Sequence, residues 1–99
     1  MVETLRERAK RLLADVPGEY VFRCVNGHTL RNLKELEAEL KTISDEDYKQ
    51  HANAQKNDFT NWVRDIIKDE SLAKSLAKAV GRTQAARLAG SRLNDLSKL

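Results

Sequence analysis

The run from Phe59 to Ile67 constrains the fold of this chain more than any other segment. Its apolar residues are spaced i, i+3, i+4, i+7 and i+8, and they are Phe59, Trp62, Val63, Ile66 and Ile67. This spacing places all of them on one face of an α-helix. We therefore expect this helix at the centre of the hydrophobic core.

Two further elements are predicted upstream of this helix. Apolar residues with helical spacing favour a first helix over residues 3–15, which ends at a Pro-Gly pair. The β-branched and aromatic stretch from Tyr20 to Val25 leads directly into Asn26-Gly27. This dipeptide tolerates the positive φ angles of a type I′ turn, so we expect a short β-hairpin near residues 20–31.

Polar residues mark the starts of the middle helices. Asn32 followed by Glu35 has the pattern of a capping box, in which each side chain binds the other residue's backbone N–H. Ser44 is placed to cap a short helix that ends near His51. Asn57 or its neighbour Asp58 caps the central helix.

Two helices complete the C-terminal third of the chain. Asp69 precedes a new apolar helical pattern, and Gly81 is placed as the C-terminal stop of that helix. Thr83 is then expected to cap a last, basic helix over residues 83–98. Together these elements predict a mostly α, compact helical domain of about five to six helices with one short β-hairpin.

Composition favours one folded domain over residues 1–99. The chain is 40% hydrophobic and 33% charged, and 99 residues rarely support two cores. No apolar run approaches the roughly 18 to 20 residues that span a bilayer, and the first residues lack the apolar region of a secretory signal. Cys24 is the only cysteine, which excludes an internal disulfide. We expect a cytoplasmic protein with no membrane partner.

The net charge of +3 is unevenly distributed along the chain. Residues 1–70 carry 12 Lys and Arg against 14 Asp and Glu, a net of −2. Residues 71–99 carry six Lys and Arg against Asp95 alone, a net of +5. A basic end on a nearly neutral body favours an anionic partner.

Five of these C-terminal cations form the candidate binding residues. Lys74, Lys78 and Arg82 are spaced i, i+4 and i+8, so they align if a single helix runs through all three. Arg87 and Arg92 in the last helix extend this into a stripe suited to a phosphate backbone. The alternative is that these side chains only keep the helices soluble.

The polar residues His51, Asn57 and Asp58 form the other candidate cluster. A histidine titrates near neutrality, and a nearby carboxylate orients it in general base catalysis. The alternative is structural, because Asn and Asp cap helices and His51 can donate to the adjacent loop. We favour the structural role and expect no catalytic residue.

Metal and cofactor sites are not indicated. Cys24 and His28 are too few for a structural zinc site, which needs about four ligands. The four glycines are scattered and cannot form a loop that binds phosphate through its backbone amides. We expect no metal and no cofactor.

Residues 20–89 resemble a family of small uncharacterised domains found mainly in archaea and also in bacteria. The resemblance rests on an aromatic strand with an Asn-Gly turn, an Asn-Leu-x-Glu-Leu helix start, a later His and a Lys-Asn-Asp-Phe-x-x-Trp motif. The matching positions are Tyr20, Asn26, Gly27, Asn32, Leu33, Glu35, Leu36, His51, Asn57, Asp58, Phe59 and Trp62. Members occur alone or attached to larger proteins such as glycosyltransferases, which implies an accessory or regulatory module.

Two non-enzymatic functions follow from these observations. The first is a small interaction or regulatory module that binds another protein through its helical surface. The alternative is sequence-independent binding of DNA or RNA through the basic C-terminal region, as in a chromatin- or ribosome-associated protein. A homodimer would form if the first or last helix leaves an apolar strip uncovered. An enzyme ranks last.

Overall fold

The computed structural model describes residues 2–99, which form six α-helices and one two-stranded antiparallel sheet. The helices are α1 (Leu5–Leu13), α2 (Leu33–Thr42), α3 (Asp45–His51), α4 (Asp58–Trp62), α5 (Glu70–Ala77) and α6 (Arg82–Ser97). The strands are β1 (Phe22–Arg23) and β2 (Thr29–Leu30). This confirms the predicted fold class, a mostly helical chain with one short hairpin. The predicted domain also includes Met1, which lies outside the described residues.

The central helix is present, but it is not α-helical along its whole length. α4 continues as a wider π-helical turn over Val63–Ile67. Of its apolar residues, Phe59, Trp62, Val63 and Ile67 are buried and Ile66 is half-buried. The indole N–H of Trp62 donates to the carbonyl oxygen of Tyr20 at 2.8 Å, which ties α4 to the segment before β1.

The most extensive helix packing is between α2 and α6. α2 contributes three fully buried leucines, Leu33, Leu36 and Leu40. The facing side of α6 is built from the small residues Ala85, Ala86 and Ala89. Gly90 lies so close to α2 that an added Cβ would stand 3.2 Å from Glu37 Oε2. Small side chains therefore bring the two helices together. None of the helices in residues 2–99 combines the length and the apolar character that crossing a bilayer requires.

The hairpin is present, but its turn is not type I′. The N–H of Cys24 donates to the carbonyl of His28 at 2.8 Å, and the N–H of Gly27 donates to the carbonyl of Cys24 at 3.0 Å. Gly27 has φ +93°. Among residues 2–99, Lys68 is the one non-glycine residue with positive φ, so the φ of Asn26 is negative. This arrangement is typical of a type I turn followed by a left-handed glycine. The side chain of Asn26 stabilises it by accepting from the N–H of His28 at 3.0 Å.

The predicted helix starts are correct at three positions, although one capping box is incomplete. Ser44 and Asn57 cap α3 and α4 with their side-chain oxygens. Asn32 likewise accepts from the N–H of Glu35 at 2.8 Å. The carboxylate of Glu35, however, accepts from the N–H of Arg31, one residue before the cap. The hydrogen bond that would complete the capping box is therefore made to the N–H of Arg31 instead of to that of Asn32.

The junction between α5 and α6 differs from the prediction. α5 ends at Ala77, and Gly81 is not its stop but the N-cap of α6. Thr83 is not a cap, since it lies in the first turn of α6, and Gln84 instead accepts from the N–H of Val80 at 2.6 Å. The physical reason is the backbone at Gly81, whose φ of 88° and ψ of 169° are essentially restricted to glycine.

Candidate functional site

The five cations expected in one stripe are divided between two segments that do not form one continuous helix. Lys74 lies in α5, Lys78 at its C-cap, and the three arginines in α6. The break at Gly81 prevents the i, i+4, i+8 alignment, which required one straight helix. Lys74, Lys78 and Arg87 are exposed and form no ion pair within residues 2–99.

The other two predicted cations are held in ion pairs. Arg82 Nε lies 3.0 Å from Asp45 Oδ1, which ties the start of α6 to the start of α3. Arg92 makes two hydrogen bonds to Asp69, from Nε to Oδ2 at 2.8 Å and from Nη2 to Oδ1 at 3.2 Å. The side chain of Asp69 is 1% exposed and also caps α5. Arg92 and Asp69 therefore tie the C-terminal half of α6 to the start of α5.

Arg92 also lines a cleft to which other elements contribute cations. The cleft has a volume of about 360 Å³ and lies between α1, the end of the π-helical turn, the start of α5 and α6. Its cationic residues are Arg8, Arg11, Arg64, Lys68 and Arg92, and its acidic residues are Asp69 and Glu70. We call this space and its five cations the basic cleft.

Most of the arginines of the basic cleft are held by carboxylates at the protein surface. Glu3 accepts from Arg11 at 2.9 and 3.1 Å and lies 3.5 Å from Arg8. Asp65 accepts from Arg64 at 2.9 Å. These hydrogen bonds lower the pKa of Glu3 and of Asp65, so both carboxylates are ionised at neutral pH. Exposed pairs of this kind add little stability, and an anionic ligand can displace the carboxylates.

The charge of the basic cleft remains positive when these partners are included. Five cations stand against four carboxylates, Asp69 and Glu70 in the lining and Glu3 and Asp65 at the rim, which leaves a net of +1. Arg64 also lines a shallow depression with Lys74, so this predicted cation adjoins the cleft. Displacement of the two rim carboxylates by a ligand would raise the net charge of the site to +3.

Four of the five cleft cations are not among the predicted binding residues, which all lie in the C-terminal third of the chain. Arg8 and Arg11 are spaced i, i+3, which is a sequence signal that they share one face of α1. Nothing in the local sequence indicates that α1 packs against α6, as it does in the structure. Lys78, Arg82 and Arg87 are not among the residues that line the cleft.

His51, Asn57 and Asp58 lie close together, and their polar atoms are hydrogen-bonded within the fold. His51 Nε2 accepts from the N–H of Val25 at 3.0 Å, so the ring proton is on Nδ1, which lies 3.0 Å from Asp58 Oδ2. Asn57 accepts from an N–H in the first turn of α4 and donates to a carbonyl of α5 at 3.2 Å. The cluster thus connects the hairpin, α3, α4 and α5.

The surroundings of His51 leave no free ring nitrogen. The imidazole is 12% exposed and packs against Phe22 and Phe59, with ring centroids 5.1 and 5.4 Å away. Partial burial alone would raise the pKa of Asp58, but the hydrogen bonds from His51 and Lys56 outweigh it and lower that pKa. A general base needs a ring nitrogen that reaches a substrate, and both nitrogens of His51 already have partners.

The hairpin contains the second histidine and the cysteine. His28 Nδ1 lies 2.7 Å from Oε1 of the buried Glu39, whose other oxygen accepts from Asn26 at 2.7 Å. Cys24 is buried, and burial, assisted by the negative charges of Glu39 and Asp47, raises the pKa of its thiol to about 12. The thiol is therefore protonated and unreactive at neutral pH. Among residues 2–99, no three His, Cys, Asp or Glu side chains are grouped closely enough to hold a metal ion.

Comparisons with protein-family models, with curated proteins and with solved structures return no match to this chain. The resemblance over residues 20–89 therefore stays a prediction.

Proposed function

We propose that this protein is a non-enzymatic binding module that binds nucleic acid without reading its sequence, through the basic cleft. The supporting observation is the convergence of five cations from three separate parts of the chain on one concave surface. A nucleic-acid backbone presents a row of phosphates, and its affinity for proteins comes mainly from Lys and Arg that replace condensed counterions. A cytoplasmic location is part of this proposal.

The lining of the basic cleft favours recognition of the backbone over recognition of the bases. Among the described residues that line it, none is aromatic, so no ring is placed to stack on an unpaired base. The guanidinium groups of Arg8, Arg11 and Arg64 are at the surface with side chains 59%, 45% and 47% exposed. Such groups contact phosphate oxygens without discriminating between sequences.

A protein partner bound through an apolar helix face has less support. The exposed large apolar residues of the described chain are Val2, Leu5, Tyr20, Val25, Val80 and Leu99. Of these, only Leu5 lies within an α-helix, whereas a helix-face interface uses several such residues at helical spacing. Salt-insensitive association with a protein, or a dimer in sedimentation, would favour the hypothesis of a protein-binding module.

Retention on double-stranded DNA and on heparin across a salt gradient tests the proposal. If each of the five cleft cations neutralises one phosphate, affinity should fall by roughly two to three orders of magnitude between about 50 and 200 mM salt. A triple variant with Arg8→Ala, Arg64→Ala and Lys68→Gly removes three cleft cations. We expect it to lower the slope of log affinity against log salt by about 2 to 3.

The matched control removes the same charge outside the basic cleft. A variant with Lys78→Ala, Arg87→Ala and Lys98→Ala loses three exposed cations that do not line it. We expect this variant to keep most of the salt dependence. Equal losses in both variants would contradict a site at the cleft, and failure of the wild-type protein to bind DNA at low salt would refute the proposed function.

A further inference from the structure

Lys68 is the one cation of the basic cleft that forms no ion pair among residues 2–99, although its charge helps to lower the pKa of Asp65. Each of the four arginines lies within ion-pair distance of Glu3, Asp65 or Asp69. Lys68 is exposed and forms no ion pair within residues 2–99. Its ammonium group is therefore available to an external anion without displacing a protein group.

The backbone of Lys68 is in a conformation that disfavours lysine. Its φ of 70° and ψ of 35° are left-handed, and it is the only non-glycine residue with positive φ among residues 2–99. Its N–H donates to the carbonyl of Val63, which closes the π-helical turn. Glycine is the usual residue at such a helix end, because a Cβ costs free energy there. The backbone conformation therefore does not explain why a lysine occupies this position.

The neighbours of Lys68 hold it at a fixed place beside the cleft. Asp69, the next residue, is buried, caps α5 and binds Arg92 at 2.8 Å. Arg64 lies one turn earlier, in the π-helical turn that Lys68 ends. The left-handed residue thus shares the lining of the cleft with Arg64 and Arg92, whose backbones are set by helices, and this preorganises three cations around one space.

We infer that the basic cleft seats a phosphate group and that Lys68 contacts it directly. This inference rests on the proposed function and specifies the contact within it. The ligand chemistry is a phosphate oxygen, which a compact ammonium binds as a point charge while arginines bind in a two-point geometry. In a nucleic acid that phosphate is either a backbone diester or a terminal monoester.

The test uses Lys68→Gly with Lys78→Gly as its matched control. Each variant removes one charge at a helix C-cap, but Lys78 has a right-handed backbone, with φ −97° and ψ −4°. Binding of inorganic pyrophosphate is followed by NMR amide shifts, and stability by urea unfolding. We expect Lys68→Gly to raise the urea midpoint while weakening pyrophosphate binding by about threefold to tenfold. Lys78→Gly should neither raise the urea midpoint nor weaken pyrophosphate binding.

Two results would overturn the phosphate seat. One is wild-type affinity for pyrophosphate in Lys68→Gly. The other is a set of pyrophosphate-induced amide shifts that leaves out residues 64–71. A merely structural role for Lys68 predicts that stability and binding change together, whereas the inference predicts that they change in opposite directions.

Oligonucleotides with and without a 5′-phosphate separate the two sources of the phosphate. A preference for the phosphorylated strand that Lys68→Gly abolishes supports a terminal monoester in the cleft. Equal binding of both strands, weakened equally by Lys68→Gly, supports a backbone diester. If pyrophosphate binds through Lys68 and neither oligonucleotide binds, the proposed nucleic-acid function is wrong and the phosphate seat stands.

Discussion

The cluster of His51, Asn57 and Asp58, here called the His51 cluster, and the basic cleft both contain paired polar groups. The two regions differ in how far those groups are buried and held by the fold. In the His51 cluster, both ring nitrogens are hydrogen-bonded within the fold, and the imidazole is nearly buried. In the basic cleft, three arginines are exposed and bind exposed carboxylates, and Lys68 forms no ion pair in the described part of the chain, residues 2–99. A polar group is available for ligand binding where its present partner is easily replaced, and the cleft is such a place.

Asp69 combines features of both regions. It lies in the lining of the basic cleft, yet its carboxylate is as buried as a core side chain. It accepts hydrogen bonds from Arg92 and from the N–H of Leu72. Its role is to position Arg92 and the start of α5, so it should respond to mutation as a structural residue.

The largest expected effect is therefore that of Asp69→Ala on stability. The change removes the cap of α5 and leaves Arg92 without its partner in a partly buried position. We expect the free energy of unfolding to fall by about 3 kcal/mol, measured by urea denaturation. Asp65→Ala is the control, since it removes an exposed carboxylate of the same cleft and should leave the urea midpoint nearly unchanged. Similar losses in the two variants would remove the distinction between the buried pair and the rim.

A smaller but clear loss of stability is expected for His51→Ala. The substitution leaves the N–H of Val25 without its acceptor and opens space beside Phe22 and Phe59, at a cost of about 2 kcal/mol. DNA retention should not change, because His51 is not among the residues that line the basic cleft. Lys56→Ala, which removes only the exposed partner of Asp58, serves as control. Unchanged stability with lost binding would reverse the assignment of the two regions.

The smallest effect concerns the pH dependence of stability at Asp58. Its pKa is lowered below the ordinary value of 3.8 by hydrogen bonds from His51 and Lys56 that outweigh partial burial. A carboxyl group with a lowered pKa in the folded state stabilises the fold above the unfolded-state pKa, and this contribution is lost as the pH falls through the folded-state value. The wild type should exceed Asp58→Asn in stability at neutral pH. That difference should shrink below about pH 4 in urea unfolding, and a constant difference would contradict the prediction.

Features that depend on neighbouring residues were predictable from the sequence. The spacing from Phe59 to Ile67 identified the central helix, and the positions of Ser44 and Asn57 identified the starts of α3 and α4. Each of these is a local effect of side-chain periodicity or of one side chain binding the backbone three residues on.

Local rules failed where the backbone had two acceptable solutions. Asn26-Gly27 is compatible with a type I′ turn and with a type I turn followed by a left-handed glycine, and contacts with the rest of the fold select the second. Gly81 is compatible with a helix end and with a helix start, and the separation of α5 from α6 makes it a start. The predicted alignment of Lys74, Lys78 and Arg82 is wrong for the same reason, since it required one helix to run through Gly81.

Periodicity and capping were sufficient to place the helices and the hairpin approximately along the chain and to identify most of the buried face of the central helix, because those depend on residues a few positions apart. The basic cleft depends on α1 packing near α6 and on a left-handed turn before α5, which bring Arg8 and Arg11 to Lys68 and Arg92. Contacts between residues so distant along the chain result from how the apolar faces of the helices pack together. No local pattern carries that information, so the site emerges only in the folded molecule.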